Sequence, residues 1–381
     1  MTVLSDVDVL SSAGTLLDHP RGRGSILDSG SDEFDDSTML LWGMPVRLAR
    51  AEIDSAARIR QLSREVCRGR AVRIRPGVFA PQPGWDEARP RQRFLTTVAA
   101  MAFARPVSPV FCRQAALVLH DLPMVNVPQT VATRTLSQGS ARKRRPVPAE
   151  ESTFRVFSEA CHLWPSAWRE LRKTGDPVVE SLLPDGTVLT AEALVCAVAD
   201  TVPLLPLSDA VAVLDALMSG RRNRSESRRA EEPWSMEDLV AAASWCTSAG
   251  ARQRYLACVA LASERSESVA ESWSKVRFHE LGFEAPVQQE VLHDAQGEEI
   301  ARGDFWWDGG RILGECDGLK KYSGPDSYSG ESTVDVLRKE REREDRIRAE
   351  GIIMVRWDWS DLKHPRRLAW KLDRAGVPRR G

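Results

Sequence analysis

Hydrophobic residues recur with a helical period in the first well-patterned part of the chain. Ile59, Leu62 and Val66 are spaced by three and four residues, which places their side chains on one face of a helix. Polar residues occupy the positions between them, and Gly69, a residue typical of helix ends, follows. The pattern therefore predicts an amphipathic helix over residues 54–70.

A β-hairpin is predicted directly after this helix. Residues 71–75 read Ala-Val-Arg-Ile-Arg, in which apolar and basic residues alternate as they do in a half-buried strand. Pro76-Gly77 is a turn signal, and the apolar run at 78–80 begins a returning strand.

Apolar runs in the centre of the chain predict helices with little strand. The expected helices are 94–104, 109–121, 187–199, 207–218, 236–249 and 253–262. A short strand is expected at 130–133. We therefore expect residues 136–264 to be a mostly helical region that links the two ends of the chain.

The last part of the chain has the period of strands. Its predicted order is helix, three strands, helix, strand and helix. The expected ranges are 268–281 for the first helix, 287–293, 299–307 and 311–317 for the three strands, 332–350 for the second helix and 352–357 for the last strand. Asp308-Gly-Gly310 is the expected hairpin turn between the second and third strands.

Charge is unevenly distributed along the 381 residues, although the formal net charge is −1. Residues 1–46 contain two basic and eight acidic residues, whereas residues 47–93 contain twelve basic and five acidic ones. Residues 1–37 contain little that could be buried, so we expect a disordered acidic tail there. This tail either is only solvated or masks a basic surface elsewhere in the protein.

Location is predicted from what the sequence lacks. No stretch approaches the ~18 uncharged apolar residues of a membrane span, and the first residues do not have the pattern of a secretory signal. The seven cysteines are scattered and form no Cys-x-x-Cys motif, which argues against a disulfide framework or a zinc knuckle. We therefore expect a cytoplasmic protein with reduced cysteines and no membrane contact.

A basic surface is predicted on the N-terminal helix and hairpin. Arg60, Arg64 and Arg68 recur every four residues opposite the apolar face, and Arg73 and Arg75 alternate along the first hairpin strand. A basic helix followed by a basic hairpin is the layout of a winged helix-turn-helix, whose helix enters a DNA groove and whose wing contacts phosphate. The alternative is a solvated arginine-rich helix beside an ordinary hairpin.

Two carboxylates occur in strand-forming sequence near the C-terminus. Asp304 precedes Phe-Trp-Trp although aspartate is depleted from strands, and Glu315 follows Ile-Leu-Gly. Neighbouring carboxylates on a hairpin repel unless a cation lies between them, and Mg²⁺ or Mn²⁺ would serve. Such a metal activates a water and stabilises charge on a phosphate, and a lysine nearby, as in Lys320-Lys321, would assist. The alternative for Asp304 is a simple hairpin cap.

Several short motifs then occur in a recognisable order. They are Glu271 on the first helix, Asp304, Glu315-Cys-Asp-Gly-Leu-Lys-Lys-Tyr322, Arg343-Glu-Asp345 and Val355-Arg-Trp357. In this order, over about residues 265–375, they resemble the PD-(D/E)XK nuclease superfamily, and most closely its proteins similar to very-short-patch-repair endonucleases. The resemblance implies a restriction-endonuclease-like α/β core.

The same resemblance implies roles for individual residues. The catalytic residues that it implies are Glu271, Asp304, Glu315, Asp317 and Lys321. Asp304, Glu315 and the backbone carbonyl of Cys316 would bind Mg²⁺ or Mn²⁺, and Arg343 would contact phosphate. The simplest form of the motif has lysine two positions after the glutamate. This chain has Asp317 there, which makes Asp317 a candidate third ligand and moves the lysine role to Lys321.

A second resemblance covers about residues 40–135. Arg68-Gly69, Arg73-Ile-Arg-Pro-Gly-Val-Phe79 and His120-Asp-Leu-Pro123 occur in this order. They resemble the winged-helix region of AbiEi-like antitoxins of type IV toxin–antitoxin systems. In this chain, the sequence gives only a weak pattern for the first helix of that helix-turn-helix.

The expected fold class is therefore an α+β or α/β multidomain protein. Its expected parts are a disordered tail at 1–37, a winged helix-turn-helix at 38–135, the mostly helical region at 136–264 and a nuclease-like core at 265–381. Two functions remain open. The protein is either a metal-dependent endonuclease that binds DNA through the winged helix, or an antitoxin-like DNA-binding regulator with an inactive nuclease-like domain. DNA is the expected partner in both, with a toxin or a second copy of the chain as further partners.

Overall fold

The computed structural model describes most of the chain after residue 37. The described ranges are 38–41, 44–48, 56–75, 77–103, 109–135, 142–144, 157–162, 178–182, 188–221, 232–294, 296–317 and 333–381. The predicted acidic tail at 1–37 and the candidate lysine Lys321 lie outside the described residues. Residues from Thr38 to Gly381 form one compact unit.

The N-terminal block is a four-stranded antiparallel sheet with one helix on it. The strands follow the spatial order β1-β2-β4-β3, and their ranges are β1 Thr38–Leu41, β2 Met44–Leu48, β3 Ala71–Arg75 and β4 Val78–Pro81. Helix α1, Ala56–Cys67, packs Leu62 against Phe79 on β4. The predicted helix and hairpin are thus confirmed. Among the described residues, however, the hairpin β1–β2 precedes α1 where a helix-turn-helix would have its first helix.

A six-stranded mixed sheet forms the centre of the protein. Its spatial order is β7-β8-β6-β5-β10-β9, and its strands are β5 Val110–Cys112, β6 Thr130–Thr135, β7 Arg142–Arg144, β8 Phe157–His162, β9 Val178–Leu182 and β10 Val188–Glu192. Strand β6 pairs parallel with β8, and β5 pairs parallel with β10. The sheet therefore joins strands from both sides of the predicted boundary at residue 135.

The prediction of a mostly helical region at 136–264 holds only for its second half. The residues described between 142 and 192 include four strands. The helix expected at 187–199 is strand β10 followed by a helix from Leu194, and the helix expected at 109–121 begins as strand β5. Short apolar runs fit both a strand and a helix, and in these cases the partner strands decide between the two.

Helices cover this central sheet and share one hydrophobic core with the N-terminal block. They are α2 Gln82–Glu87, α3 Pro90–Phe103, α4 Arg113–Leu119, α5 Leu194–Thr201, α6 Leu207–Met218, α7 Met236–Ala242 and α8 Ala249–Val259. The core runs from Val46 to Val259 and includes Phe94, Phe111 and Tyr255, which are fully buried. A single continuous core explains why residues 38–135 and 136–264 do not separate into two domains.

The C-terminal part has the predicted order of elements. It comprises α9 Val269–Leu281, β11 Val287–His293, β12 Glu299–Trp307, β13 Ile312–Asp317, α10 Thr333–Ala349, β14 Ile353–Asp358, α11 Trp359–Lys363 and α12 Pro365–Ala375. The four strands form a sheet in the order β11-β12-β13-β14. Strands β11, β12 and β13 are antiparallel, whereas β14 is parallel to β13, because α10 carries the chain back to the start of the sheet.

Large aromatic side chains form the core on one face of this sheet. Phe278 of α9 makes edge-to-face contacts with Phe305, Trp307 and Trp357, at ring-centroid distances of 5.1, 5.2 and 5.4 Å. These residues are all buried. Gly314 on β13 leaves the space that the rings of Trp307 and Trp357 fill. The opposite face carries a smaller apolar cluster around Trp306, Leu313 and Ile347 of α10.

Helix α9 joins this part to the central helices. It packs along α6. Lys275 of α9 donates hydrogen bonds to both carboxylate oxygens of Asp215 on α6, each at 3.0 Å. Asp215 is fully buried and also accepts a hydrogen bond from the backbone N–H of Ser263. None of the helices in the described ranges is both long and apolar enough to span a bilayer.

Candidate functional site

The central hairpin of the C-terminal sheet brings the two predicted metal ligands to the same end of neighbouring strands. Phe305 on β12 faces Gly314 on β13, and Asp304 and Glu315 are the next residues outward from that pair. Asp304 Oδ2 accepts a hydrogen bond from the backbone N–H of Cys316 at 2.9 Å. Asp304 is therefore fixed against β13, beside the Glu-Cys-Asp segment, rather than acting only as a hairpin cap.

Glu271 lies in the first turn of α9, where it completes the helix N-terminus. Ser268 caps the helix by accepting the backbone N–H of Glu271, and the Glu271 carboxylate accepts hydrogen bonds from the Glu267 backbone N–H and the Ser268 hydroxyl. Gln289 Nε2 on β11 also donates to it, at 2.9 Å. The carboxylate is thus held in one position by three donors.

The surroundings of Glu271 favour its protonated form. Only 6% of its surface is exposed, and this burial, with a smaller contribution from the negative charge of Asp304, raises the pKa of Glu271 to about 7. The hydrogen bonds from Ser268 and Gln289 and the positive charge of Arg221 act in the opposite direction. The influence of Asp304 means that the two carboxylates lie close enough to repel each other.

Cys316 lies among three carboxylates. Burial raises the pKa of its thiol to about 12, and the negative charges of Asp304, Glu271 and Asp317 act in the same direction. The thiol is therefore protonated at neutral pH, and the carboxylates around it form a concentration of negative charge at the end of β13. Glu271, Asp304, Cys316 and Asp317 thus lie in one neighbourhood.

Glu315 has a different environment from the other carboxylates. Its Oε1 accepts a hydrogen bond from Arg343 Nη2 of α10, and its Oε2 accepts one from Arg356 Nε of β14 at 2.9 Å. Burial disfavours the charged form, but the two guanidinium groups outweigh this effect and hold the pKa of Glu315 below its ordinary value.

The two arginines extend this contact into an ion-pair cluster. Arg356 also binds Glu344 at 2.6 Å and contacts Glu340, and Arg343 lies 3.4 Å from the same Glu340. We call these five residues the Glu315 cluster. Arg343, predicted as a phosphate contact, is half-buried within it. Its guanidinium is already neutralised by carboxylates in this conformation.

The donor chemistry of the carboxylate neighbourhood suits a hard divalent cation, because carboxylate oxygens are the preferred ligands of Mg²⁺ and the three carboxylates repel one another without a cation. The three carboxylates lie too far apart for all of them to bind one metal ion. Within the part of the chain that the structure describes, no three His, Cys, Asp or Glu side chains converge closely enough to hold a metal ion. Glu315, predicted as a ligand, is directed to arginines instead.

The predicted DNA-binding arginines divide into exposed and buried residues. Arg60, Arg64, Arg68 and Arg73 are exposed on α1, its end and β3, as expected for phosphate contacts. Arg75 is only 8% exposed, and its Nη2 contacts Met101 Sδ at 3.4 Å. A register shift in the β3–β4 pairing lies between Arg73 and Arg75, which breaks the alternation that would have kept Arg75 at the surface. Arg75 is therefore not exposed as the predicted phosphate contact requires.

Three residues near the site were not predicted. Arg356 holds Glu315, Gln289 holds Glu271, and Arg221 follows the end of α6 close enough to Glu271 to lower its pKa. A lone arginine inside the apolar strand Ile-Met-Val-Arg-Trp is a signal that could have identified Arg356. Gln289 and Arg221 carry no such signal, because only the folding of β11 and α6 against α9 brings them near.

Comparison with known proteins adds no assignment to this geometry. No model of a protein family matches the chain, and no curated protein matches it.

Proposed function

We propose that the C-terminal part of the protein is a metal-dependent nuclease that hydrolyses phosphodiester bonds in DNA. The observation that carries the proposal is the neighbourhood of Glu271, Asp304 and Asp317 around Cys316, built by one helix and two strands. Glu271 comes from α9, Asp304 from β12 and Asp317 from β13. These elements belong to the predicted order of helix, three strands, helix and strand. The fold alone does not imply this activity, so the proposal depends on the chemistry of these few side chains.

Each carboxylate has a distinct part in the proposal. Asp304 and Asp317, with the backbone carbonyl of Cys316, would hold Mg²⁺ or Mn²⁺, and the cation would supply positive charge at the scissile phosphate and acidify a water. The hydrogen bond from the Cys316 N–H fixes the position of the Asp304 carboxylate. Glu271 has a pKa of about 7, which suits a carboxylate that accepts a proton from water at neutral pH.

The Glu315 cluster would supply positive charge beside the same site. Glu315 holds the guanidinium groups of Arg343 and Arg356 next to the strand that carries Asp317. A phosphate of the substrate can replace one carboxylate partner of Arg343, since guanidinium binds both groups through the same fork of donors. In this proposal Glu315 positions arginines.

The exposed arginines of the N-terminal block would hold the DNA. Arg60 and Arg64 lie on α1, and Arg73 lies on the adjacent β3. Exposed guanidinium groups on neighbouring elements fit a row of backbone phosphates, and such contacts release counterions and make binding depend steeply on salt.

Cleavage by the purified chain tests the proposal. With Mg²⁺ or Mn²⁺, the wild type is expected to cut plasmid DNA or single-stranded DNA, and chelation with EDTA is expected to stop it. Asp304→Asn removes a ligand charge and is expected to reduce the rate by at least about 100-fold.

Glu342→Gln is the matched control, because Glu342 is an exposed carboxylate on α10 whose one partner among the described residues is Arg338. It is expected to cut at the wild-type rate. The proposal is wrong if the wild type cuts neither substrate with either metal, or if Asp304→Asn cuts as fast as the wild type.

A second candidate function is a DNA-binding regulator whose nuclease-like part is inactive. The Glu315 cluster favours it, because Glu315 is neutralised by two arginines and no three ligand side chains converge among the described residues. This function predicts DNA binding that Asp304→Asn leaves unchanged, with no cleavage under any of the conditions above.

The DNA contact itself is tested by replacing Arg60, Arg64 and Arg73 together with glutamine. Removing three phosphate contacts is expected to lower the slope of log affinity against log salt by about 3. Arg252→Gln on α8 is the control, because Arg252 is exposed but lies outside the basic block. An unchanged slope in the triple variant would show that DNA does not bind at these arginines.

A further inference from the structure

The last two helices present a face that neither the fold nor the proposed site uses. Lys363, at the end of α11, and Arg366, Trp370 and Arg374 on α12 are spaced by three, four and four residues. Within α12 this spacing places Arg366, Trp370 and Arg374 along one side, Lys363 precedes them at the end of α11, and all four residues are exposed. We call them the α12 stripe.

The apolar face of α12 is already covered by the protein itself. Leu368 and Leu372 are fully buried in the aromatic core of the C-terminal sheet, together with Leu362 of α11. Trp370 is the exception among the large apolar residues of this helix. It is 58% exposed, more than any other large hydrophobic side chain that the structure describes.

An exposed tryptophan contributes little to the fold, because its ring remains in water. By contrast, Trp307 and Trp357 are buried, and both pack against Phe278 in the core. Trp370 instead carries the guanidinium of Arg374 over its ring, 5.2 Å from the centroid. This contact keeps one face of the indole next to a cation and leaves the ring at the surface.

The cations of the α12 stripe are not balanced by carboxylates. Within the described residues, the side chains of Lys363 and Arg366 form no hydrogen bond or ion pair, and the contact of Arg374 is with the Trp370 ring. Arg367, one position outside the stripe, differs, because it binds the buried Asp361 at 2.7 Å. The stripe therefore has a net positive charge of three, and one of its cations, Arg374, lies on the aromatic ring.

We propose that the α12 stripe binds single-stranded DNA. A base would stack on Trp370, and the phosphates on either side of it would meet Arg366 and Arg374, each about 6 Å from Trp370 along the helix axis. An unpaired base is required, since the bases of a duplex expose only their edges. A membrane surface fits poorly because the other large apolar residues of α12 are buried.

The choice of DNA as the nucleic acid rests on the proposed function, whereas the binding needs neither a metal ion nor the candidate nuclease residues. The stripe lies on the C-terminal part, which is the part proposed to cut DNA. It adds a second nucleic-acid contact, on the C-terminal part, to the arginines of the N-terminal block.

Binding of a fluorescently labelled oligothymidylate of about 20 nucleotides tests this inference. Fluorescence anisotropy is measured with the full chain in EDTA, so that cleavage cannot occur. Trp370→Ala is expected to weaken binding about 5- to 100-fold, the range for loss of one stacked base. Trp370→Phe keeps an aromatic ring and is expected to retain affinity to within about threefold.

The matched control is Leu204→Ala, which removes an equally exposed apolar side chain, 57% exposed, from outside the stripe. Its affinity is expected to equal that of the wild type. The double variant Arg366→Gln with Arg374→Gln is expected to weaken binding and to reduce the salt dependence by about two phosphate contacts.

Three results would overturn the inference. The first is that the wild type does not bind, and the second is that the wild type and Trp370→Ala bind with equal affinity. The third is that a blunt duplex binds as tightly as the single strand and loses the same affinity in Trp370→Ala. Tighter binding of the corresponding oligouridylate would overturn the choice of DNA. A wild type that binds through Trp370 but cuts no DNA supports the inference and contradicts the proposed function, so the two can fail separately.

Discussion

Glu271 and Glu315 are both buried glutamates within one small region, yet their surroundings shift their pKa values in opposite directions. Glu271 is surrounded by neutral donors and lies near Asp304, so burial dominates and its pKa rises to about 7. Glu315 meets two guanidinium groups, which outweigh its burial and lower its pKa. One carboxylate is therefore suited to exchange a proton near neutral pH, and the other to remain charged.

The raised pKa of Glu271 predicts a pH dependence of stability. Its folded-state pKa of about 7 lies above its ordinary value of 4.5, so the folded state binds the proton more tightly than the unfolded state does. The contribution of Glu271 to stability is therefore complete below about pH 4.5 and is lost as the pH rises through about 7. Glu271→Gln cannot lose a proton and lacks this loss.

Urea unfolding of the metal-free protein between pH 4 and pH 8 measures the effect. Relative to Glu271→Gln, the wild type is expected to lose up to about 3 kcal/mol across this range. Glu280→Gln is the control, because Glu280 lies at the other end of α9 and is exposed. Parallel curves for the wild type and Glu271→Gln would contradict the raised pKa.

At the scale of elements, the β12–β13 hairpin depends on a glycine at its closest approach to the core. A Cβ atom on Gly314 would lie 2.7 Å from Trp357 Cη2 and 2.9 Å from Trp307 Cζ3. Both rings are buried against Phe305 and Phe278 and cannot move away. The glycine next to Glu315 is therefore required by packing.

Gly314→Ala is expected to lower the free energy of unfolding by about 1–3 kcal/mol, the usual cost of overpacking a core. Gly309→Ala is the matched control in the adjoining turn, where an added Cβ meets nothing within 4 Å. Chemical denaturation followed by tryptophan fluorescence measures both. Equal stabilities of the two variants would mean that the aromatic core can yield around position 314.

The elements also differ in how far the sequence predicts them. In the C-terminal part the ranges of β11 and β12 are predicted to the residue, because turn residues and the end of a capped helix bound them. In the central part, β10 and β5 were assigned to helices. Their apolar runs have no clear period, and they become strands because they pair with each other.

At the scale of the whole molecule, the buried ion pair between Asp215 and Lys275 couples the central helices to the candidate site. Burial lowers the pKa of Lys275, and Asp215 opposes this effect, so the lysine depends on its partner to remain charged. The same helix α9 carries Glu271 in its first turn. A change at the α6–α9 contact is therefore expected to reach the site through the position of α9.

Asp215→Ala leaves Lys275 buried without its carboxylate, and it is expected to lower the free energy of unfolding by about 3–5 kcal/mol. Asp345→Ala is the control, because Asp345 is 66% exposed on α10 and lies 3.7 Å from Arg348. Urea denaturation measures both variants. A loss below about 1 kcal/mol in Asp215→Ala would show that the pair stabilises the molecule no more than a surface pair does.

The sequence alone determined the local features of this protein: the helix and hairpin at residues 56–81 and the order of elements after residue 268. These features depend on period, turn residues and motif order, all of which are local. Tertiary structure decided that one core joins residues 46–259, that Arg75 is buried, and that Glu315 binds arginines. Each of these depends on contacts between residues far apart in the chain, such as Glu315 with Arg356, and local pattern carries no information about them.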